Sequence, residues 1–180
     1  MLAQAGIFIL DTLFGLLSGL LLLRFFMQAF RAPFHNQLGA FVLQTTNWLI
    51  LPLRKVLPGI FGLDLASVLA AYLLQALLVF SIFLLAPGIG VMNPGGMVGI
   101  ILWAALLATL RISIYLLIGA LIIQAVLSWV SPYSPLMPLA SQLTRPFTDP
   151  IRRFVPPIAN IDLSPWIAIV LAQLVLIFLR

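Results

Sequence analysis

The chain has 180 residues, 63% of them hydrophobic and only 7% charged, against about 45–50% apolar and about 25% charged in soluble domains. Nine Lys and Arg with four Asp, a formal net charge of +5, cannot coat a water-facing globule, so the composition is that of an integral membrane protein. The absence of Cys excludes disulfides, Cys-ligated zinc, iron–sulfur clusters and thiol catalysis, and one His with no Glu leaves most hydrolytic and redox chemistry without its parts. No cofactor and no enzymatic activity is expected. With no polar domain or basic tail to hold nucleic acid, the positive balance points to an anionic membrane surface.

A helix needs about 20 apolar residues to cross the hydrocarbon layer. The first candidate span covers residues 7–30 and is interrupted by Asp11 and Arg24. The preceding MLAQAGIFIL lacks the positive region of a secretory signal and is expected to be retained. Arg24 lies about 9 Å inside the end of this span. It can snorkel to the headgroups or join an interior polar cluster with Gln28, Gln75, Gln124 or Gln173. His35, in a polar loop without a second ligand, is expected at the surface.

Between residues 36 and 57, Leu38, Phe41, Val42, Trp48, Leu49, Leu53 and Val56 recur at helical spacing, opposite Gln37, Gln44, Asn47, Arg54 and Lys55. This is the pattern of a helix lying in the membrane interface, with its cations at the phosphates. The second span, 65–86, is free of charge, and a Pro/Gly loop follows at 87–97. The third apolar stretch, 98–130, is too long for one simple crossing. Arg111 is expected to divide it, leaving 112–130 as the crossing. A second amphipathic segment, 134–155, sets Leu136, Leu139, Leu143, Phe147, Ile151 and Phe154 against Gln142, Arg145, Arg152 and Arg153. Pro146 and Pro150 are expected to break it into short pieces, with Asp149-Pro150 opening the last one. The fourth span, 164–180, is near the lower length limit.

The reading is therefore an all-α membrane protein with four transmembrane helices and two amphipathic interfacial helices. Six cations, Arg31, Arg54, Lys55, Arg145, Arg152 and Arg153, fall in the two segments that follow odd-numbered spans. The positive-inside rule then places both amphipathic segments in the cytoplasm, and the 87–97 loop and both termini outside.

The two halves repeat. Pro52-Leu-Arg-Lys-Val-Leu-Pro58 aligns with Pro150-Ile-Arg-Arg-Phe-Val-Pro156 at an offset of 98, which also matches Asp64 to Asp162 and Gln75 to Gln173. The preceding span aligns at an offset of 100, matching Arg24 to Gln124 and Asp11 to Arg111. Repeat one is 1–86 and repeat two is 98–180. Each contains an even number of crossings, so the repeats are parallel. Asp64 and Asp162, each just before an apolar span, are expected to cap helix N-termini. Asp11, Gly15 and Gly19 share a helical face, and Arg111 and Gly119 occupy matching positions. Close packing of spans one and three is expected there, with Asp11 and Arg111 either paired or separately reaching the headgroups.

With PLRKVLPGIFGLDLAS and PIRRFVPPIANIDLSP each preceding an apolar span, the chain resembles the YggT family of small membrane proteins over nearly its whole length. Repeat two departs from repeat one where Arg145-Pro146 replaces the polar stretch near Asn47. The resemblance implies an accessory membrane protein without catalytic residues, in a family associated with osmotic stress, cell division, envelope organisation and, in photosynthetic relatives, thylakoid and cytochrome assembly. The expected function is that of a non-enzymatic scaffold. It engages anionic phospholipid and a membrane or cytoplasmic protein partner through Trp48, Arg54, Lys55, Arg145, Arg152 and Arg153, alone or as a homo-oligomer. The alternative is a small channel or osmolyte or ion transporter subunit, acting as an oligomer, with a Gln-lined path between the repeats.

Overall fold

A computed structural model describes residues 1–56, 64–85, 94–131, 133–155 and 162–179. Leu57, Pro58, Leu63, Pro156 and Ile161 of the doubled element, and most of the Pro/Gly loop, lie outside the described residues. Within them the chain forms helices and no strands: α1 (Leu2–Ala29), α2 (Gln37–Val56), α3 (Leu65–Leu85), α4 (Pro94–Val130), α5 (Met137–Phe154) and α6 (Ser164–Phe178). Segments Ala3–Ala29, Leu65–Leu85 and Gly96–Val130 are long and apolar enough to cross a membrane, which fits an integral membrane location.

Contacts fix the helix directions. Arg24 of α1 lies beside Asp64 at the head of α3, while Ser18 bonds Gln75 and Ala71 further along, so α1 and α3 are antiparallel. On α4 and α6, Trp129 meets Trp166 and Arg111 meets Leu179, giving the same relation. α1 and α4 run parallel: Gly19 faces Ile112, and Met27 belongs to a cluster that includes Ala120. That cluster also holds Leu139 and Leu143 of α5, so α2 and α5 sit at the same end of the bundle.

Local chemistry explains the turns that place them there. Phe30 ends α1, Arg31 takes a left-handed φ of 55°, and the N–H groups of Arg31 and Ala32 donate to the carbonyls of Gln28 and Met27. These paired bonds close a Schellman motif. Asn36 then caps α2, its Oδ1 accepting the Gly39 N–H at 2.6 Å.

Several expectations need correction. α4 is one continuous helix of 37 residues, about 55 Å long, and is not divided at Arg111. Its guanidinium instead donates to the carbonyl of Leu179, from Nε at 2.8 Å and also from Nη2. Cationic donors at the C-terminus of α6 complement its dipole. α6 has 15 helical residues, about 22 Å, which is short of the hydrocarbon thickness.

α5 is also continuous, with Pro146 and Pro150 inside it. Both prolines are exposed and one turn apart. Leu139, Leu143, Thr144 and Thr148 form its buried face. Packing of that face outweighs the local penalty. Asp149 accordingly opens no helix; it lies inside α5, paired with Arg145 at 3.1 Å and near Arg152 at 3.8 Å.

Candidate functional site

The most concentrated polar chemistry joins α1, α2 and the head of α3. Arg24 Nη1 donates to Thr46 Oγ1 and to Asn47 Oδ1, both at 2.8 Å, and its Nε lies 3.3 Å from Asp64 Oδ2. Arg54 approaches the same carboxylate with two donors, Nη2 at 2.6 Å and Nε at 3.3 Å, and Ser67 Oγ donates to it at 2.8 Å. The side chains of Arg24 and Asp64 are 4% and 1% exposed, whereas Arg54 is 41% exposed. Two arginines share one carboxylate, and Nη1 of Arg24 is met by two neutral oxygens. Burial works to raise the Asp64 pKa, but hydrogen bonds from Arg54 and Ser67 and the charges of Arg54 and Arg24 outweigh it and hold the carboxyl below its ordinary range.

Arg24 thus does not snorkel. It is interior, and among the described residues it is held by Thr46, Asn47 and Asp64. Asn47, expected on the outer polar face of α2, turns inward to meet it. The buried stripe of α2 is Val42, Thr46 and Ile50, while Phe41, Trp48 and Leu51 are exposed.

Repeat two holds a partial copy. Thr144, the counterpart of Thr46, donates to Gln124, the counterpart of Arg24. Arg152 donates to Asp162, with Nε at 2.8 Å, as Arg54 does to Asp64, and both pairs span ten residues. Asp162 Oδ1 accepts the Ser164 N–H at 2.9 Å and so does bond the start of α6. Asp64 instead receives the Ser67 hydroxyl and the two arginines. The carboxyl of Asp162 is also lowered: burial opposes this, and bonds from Ser164 and Arg152 prevail. With glutamine in place of arginine, no direct bond from α4 to Asp162 is seen among the described residues. Thr46 and Thr144 escaped notice in the sequence, although their separation of 98 matches the repeat offset and could have drawn attention to them.

The other anticipated residues scatter. Gln75 Nε2 donates to Ser18 Oγ at 3.0 Å inside repeat one, Gln124 is taken by Thr144, and Gln173 is exposed. They do not line a common path between the repeats. Asp11 is exposed and, among the described residues, has no ion pair. Arg111 is engaged by Leu179, so the Asp11–Arg111 pair does not form. Of the glycine face, only Gly19 has a neighbour at its Cβ position, Ile112 at 4.0 Å; Gly15 and Gly119 face open space. A glycine permits close approach without attracting a partner, and α1 makes its polar ties to α2 and α3. His35 is exposed, and the described residues contain no cluster able to hold a metal. Lys55 and Arg153 are exposed and have no carboxylate partner among the described residues; Arg145 is exposed and paired only with Asp149.

Comparisons with known proteins fit this doubled arrangement. The sequence model of the CCB3/YggT family matches residues 3–85 and again 103–180. Protein PA0392 of Pseudomonas aeruginosa is 38% identical over 177 residues, covering 97% of this chain and 87% of the relative. YggT of Escherichia coli K12 is 36% identical over 173 residues, 93% and 85% of the two chains. A Haemophilus influenzae protein is 30% identical over 180 residues, 99% and 91% of the two. No solved structure matches. Matched twice by the family's sequence model and similar to its members over most of its length, the chain belongs to the CCB3/YggT family.

Proposed function

We propose that the protein is a non-enzymatic accessory or scaffold component of a bacterial-type inner membrane. In this reading α1, α3, α4 and the short α6 cross the bilayer, and α2 and α5 lie along its cytoplasmic face. There they engage anionic lipid and a protein partner. The observation that carries it is the pair of repeat-matched ties, Arg54–Asp64 and Arg152–Asp162, holding two amphipathic helices at one end of the bundle. Lys55, Arg145 and Arg153 remain exposed there, with Trp48, Phe147 and Phe154 beside them in sequence. Cations with exposed aromatic rings suit a headgroup layer.

In this reading the cations expected to bind lipid divide their labour. Arg54 and Arg152 hold the helices in place, which leaves Lys55, Arg145 and Arg153 for the surface. Each cation near an anionic leaflet contributes roughly 1 kcal/mol. Replacing those three with Gln should therefore reduce retention of phosphatidylglycerol by roughly a hundredfold and leave phosphatidylcholine nearly unchanged. Lipids retained through purification in mild detergent and counted by mass spectrometry measure this. Equal loss of both lipids, or no loss of either, would refute the reading.

A further inference from the structure

We propose that the cleft between α1, α4 and α5 holds a single anionic glycerophospholipid, one acyl chain inserted between the repeats and the phosphate on α5. This rests on the lipid-engaging reading above and narrows it to one site. The inner part is an apolar cavity of about 160 Å³, walled by Leu23 and Phe26 of α1, Leu117 and Ala120 of α4, and Leu143 and Phe147 of α5. An apolar cavity of that size stays dry and takes hydrocarbon; it has room for a short run of methylenes, the rest of the chain continuing into the bilayer. Phe30 lines this cavity and also the open recess beside it, where Gln142, Arg145, Asp149 and Arg153 stand. The Phe30 and Phe147 rings meet edge to face at 6.3 Å, at the boundary between the two spaces.

Charge selects the headgroup. Arg145, Asp149 and Arg153 follow one another at four-residue spacing and share a face of α5. Asp149 neutralises Arg145 at 3.1 Å, while Arg153 has no carboxylate partner among the described residues. The recess therefore carries one uncompensated positive charge, matching one phosphodiester. The other large apolar groove, between α1, α3 and α4 near Phe25, Tyr72 and Leu106, has no cation in its walls. The comparison between repeats agrees: the position equivalent to Arg145 is Asn47, which Arg24 occupies. The departure from Asn47 to Arg145-Pro146 thus turns an internal polar contact into an exposed cation at the mouth of a lipid-sized cleft.

The full chain in nanodiscs containing equal phosphatidylglycerol and phosphatidylcholine of matched acyl chains provides the test, with bound lipid counted by native mass spectrometry. One phosphatidylglycerol per chain is expected. Arg153→Gln should lower its occupancy about fivefold. Ala120→Phe, which fills the cavity and keeps every cation, should lower it comparably, and Ala120→Leu serves in its place if the larger side chain prevents folding. Lys55→Gln, which removes a cation of the broader lipid-facing surface outside the cleft, should lower occupancy of this site less than Arg153→Gln does, and inorganic phosphate should not displace the lipid. Equal losses from Lys55→Gln and Arg153→Gln with no effect of filling would overturn the site while sparing the broader lipid reading. Displacement by inorganic phosphate alone would reduce the site to an anion contact. No preference for phosphatidylglycerol in the unmodified chain would overturn both.

Discussion

Replacing Asp64 with asparagine should destabilise the protein by about 3–5 kcal/mol, the range for removing one partner of a buried ion pair. The change leaves Arg24, 4% exposed, with neutral acceptors only. Arg24→Gln should cost less. It reproduces the residue that repeat two carries at Gln124, and Asp64 keeps Arg54 and Ser67. The double change should recover part of the loss from Asp64→Asn, because it removes the orphaned charge. Asp162→Asn belongs to a more exposed pair and should cost no more than about 1 kcal/mol. Unfolding in mixed micelles with increasing denaturing detergent measures all four. Additive losses from the Arg24 and Asp64 changes would mean that the two side chains do not interact.

The same network fixes a pH dependence. Because the folded-state pKa of Asp64 is depressed, its contribution is complete above the unfolded carboxylate value of about 3.9 and is lost as pH falls through the lower folded value. Stability due to this group should be the same at pH 7 and pH 5 and decline only in stronger acid.

Gly39→Ala should produce the second large effect, at least about 1–3 kcal/mol as for overpacking. An added Cβ would stand 2.5 Å from the Phe34 carbonyl oxygen, 2.8 Å from its Cα and 2.9 Å from its carbonyl carbon. These are backbone atoms, held where the 34–36 loop folds over the first turn of α2, so relief requires moving the loop or losing the Asn36 cap. Gly15→Ala is the matched control. Open space surrounds its Cβ position, so helix propensity alone should act, making that change neutral or slightly stabilising. Equal effects of the two substitutions would contradict the close approach at Gly39.

Much of this architecture was legible because the bilayer and helical periodicity impose simple patterns. The apolar runs gave α1 and α3, and spacing gave the amphipathic α2. The failures share a cause in contacts distant along the chain. Arg111 read as a boundary because its acceptor, Leu179, lies 68 residues away. Pro146 and Pro150 read as breaks because a local rule takes no account of the buried face beneath them. Arg24 was recognised as an unusual intramembrane charge, yet its acceptors lie on α2 and at the head of α3, and periodicity had assigned Asn47 to the opposite face. The repeat offset is a long-range signal that the sequence does carry, and it matches Asp64 to Asp162 without naming their arginine partners.

In the proposed arrangement both basic helices should occupy one face of the membrane, the cytoplasmic one. The chain contains no cysteine, so single substitutions Lys55→Cys, Arg153→Cys and Gly96→Cys can be labelled with a membrane-impermeant maleimide without background. In intact cells Gly96→Cys should label, and the other two should label only after permeabilisation. Labelling of Lys55→Cys and Arg153→Cys from opposite sides, or of both from outside, would contradict the account.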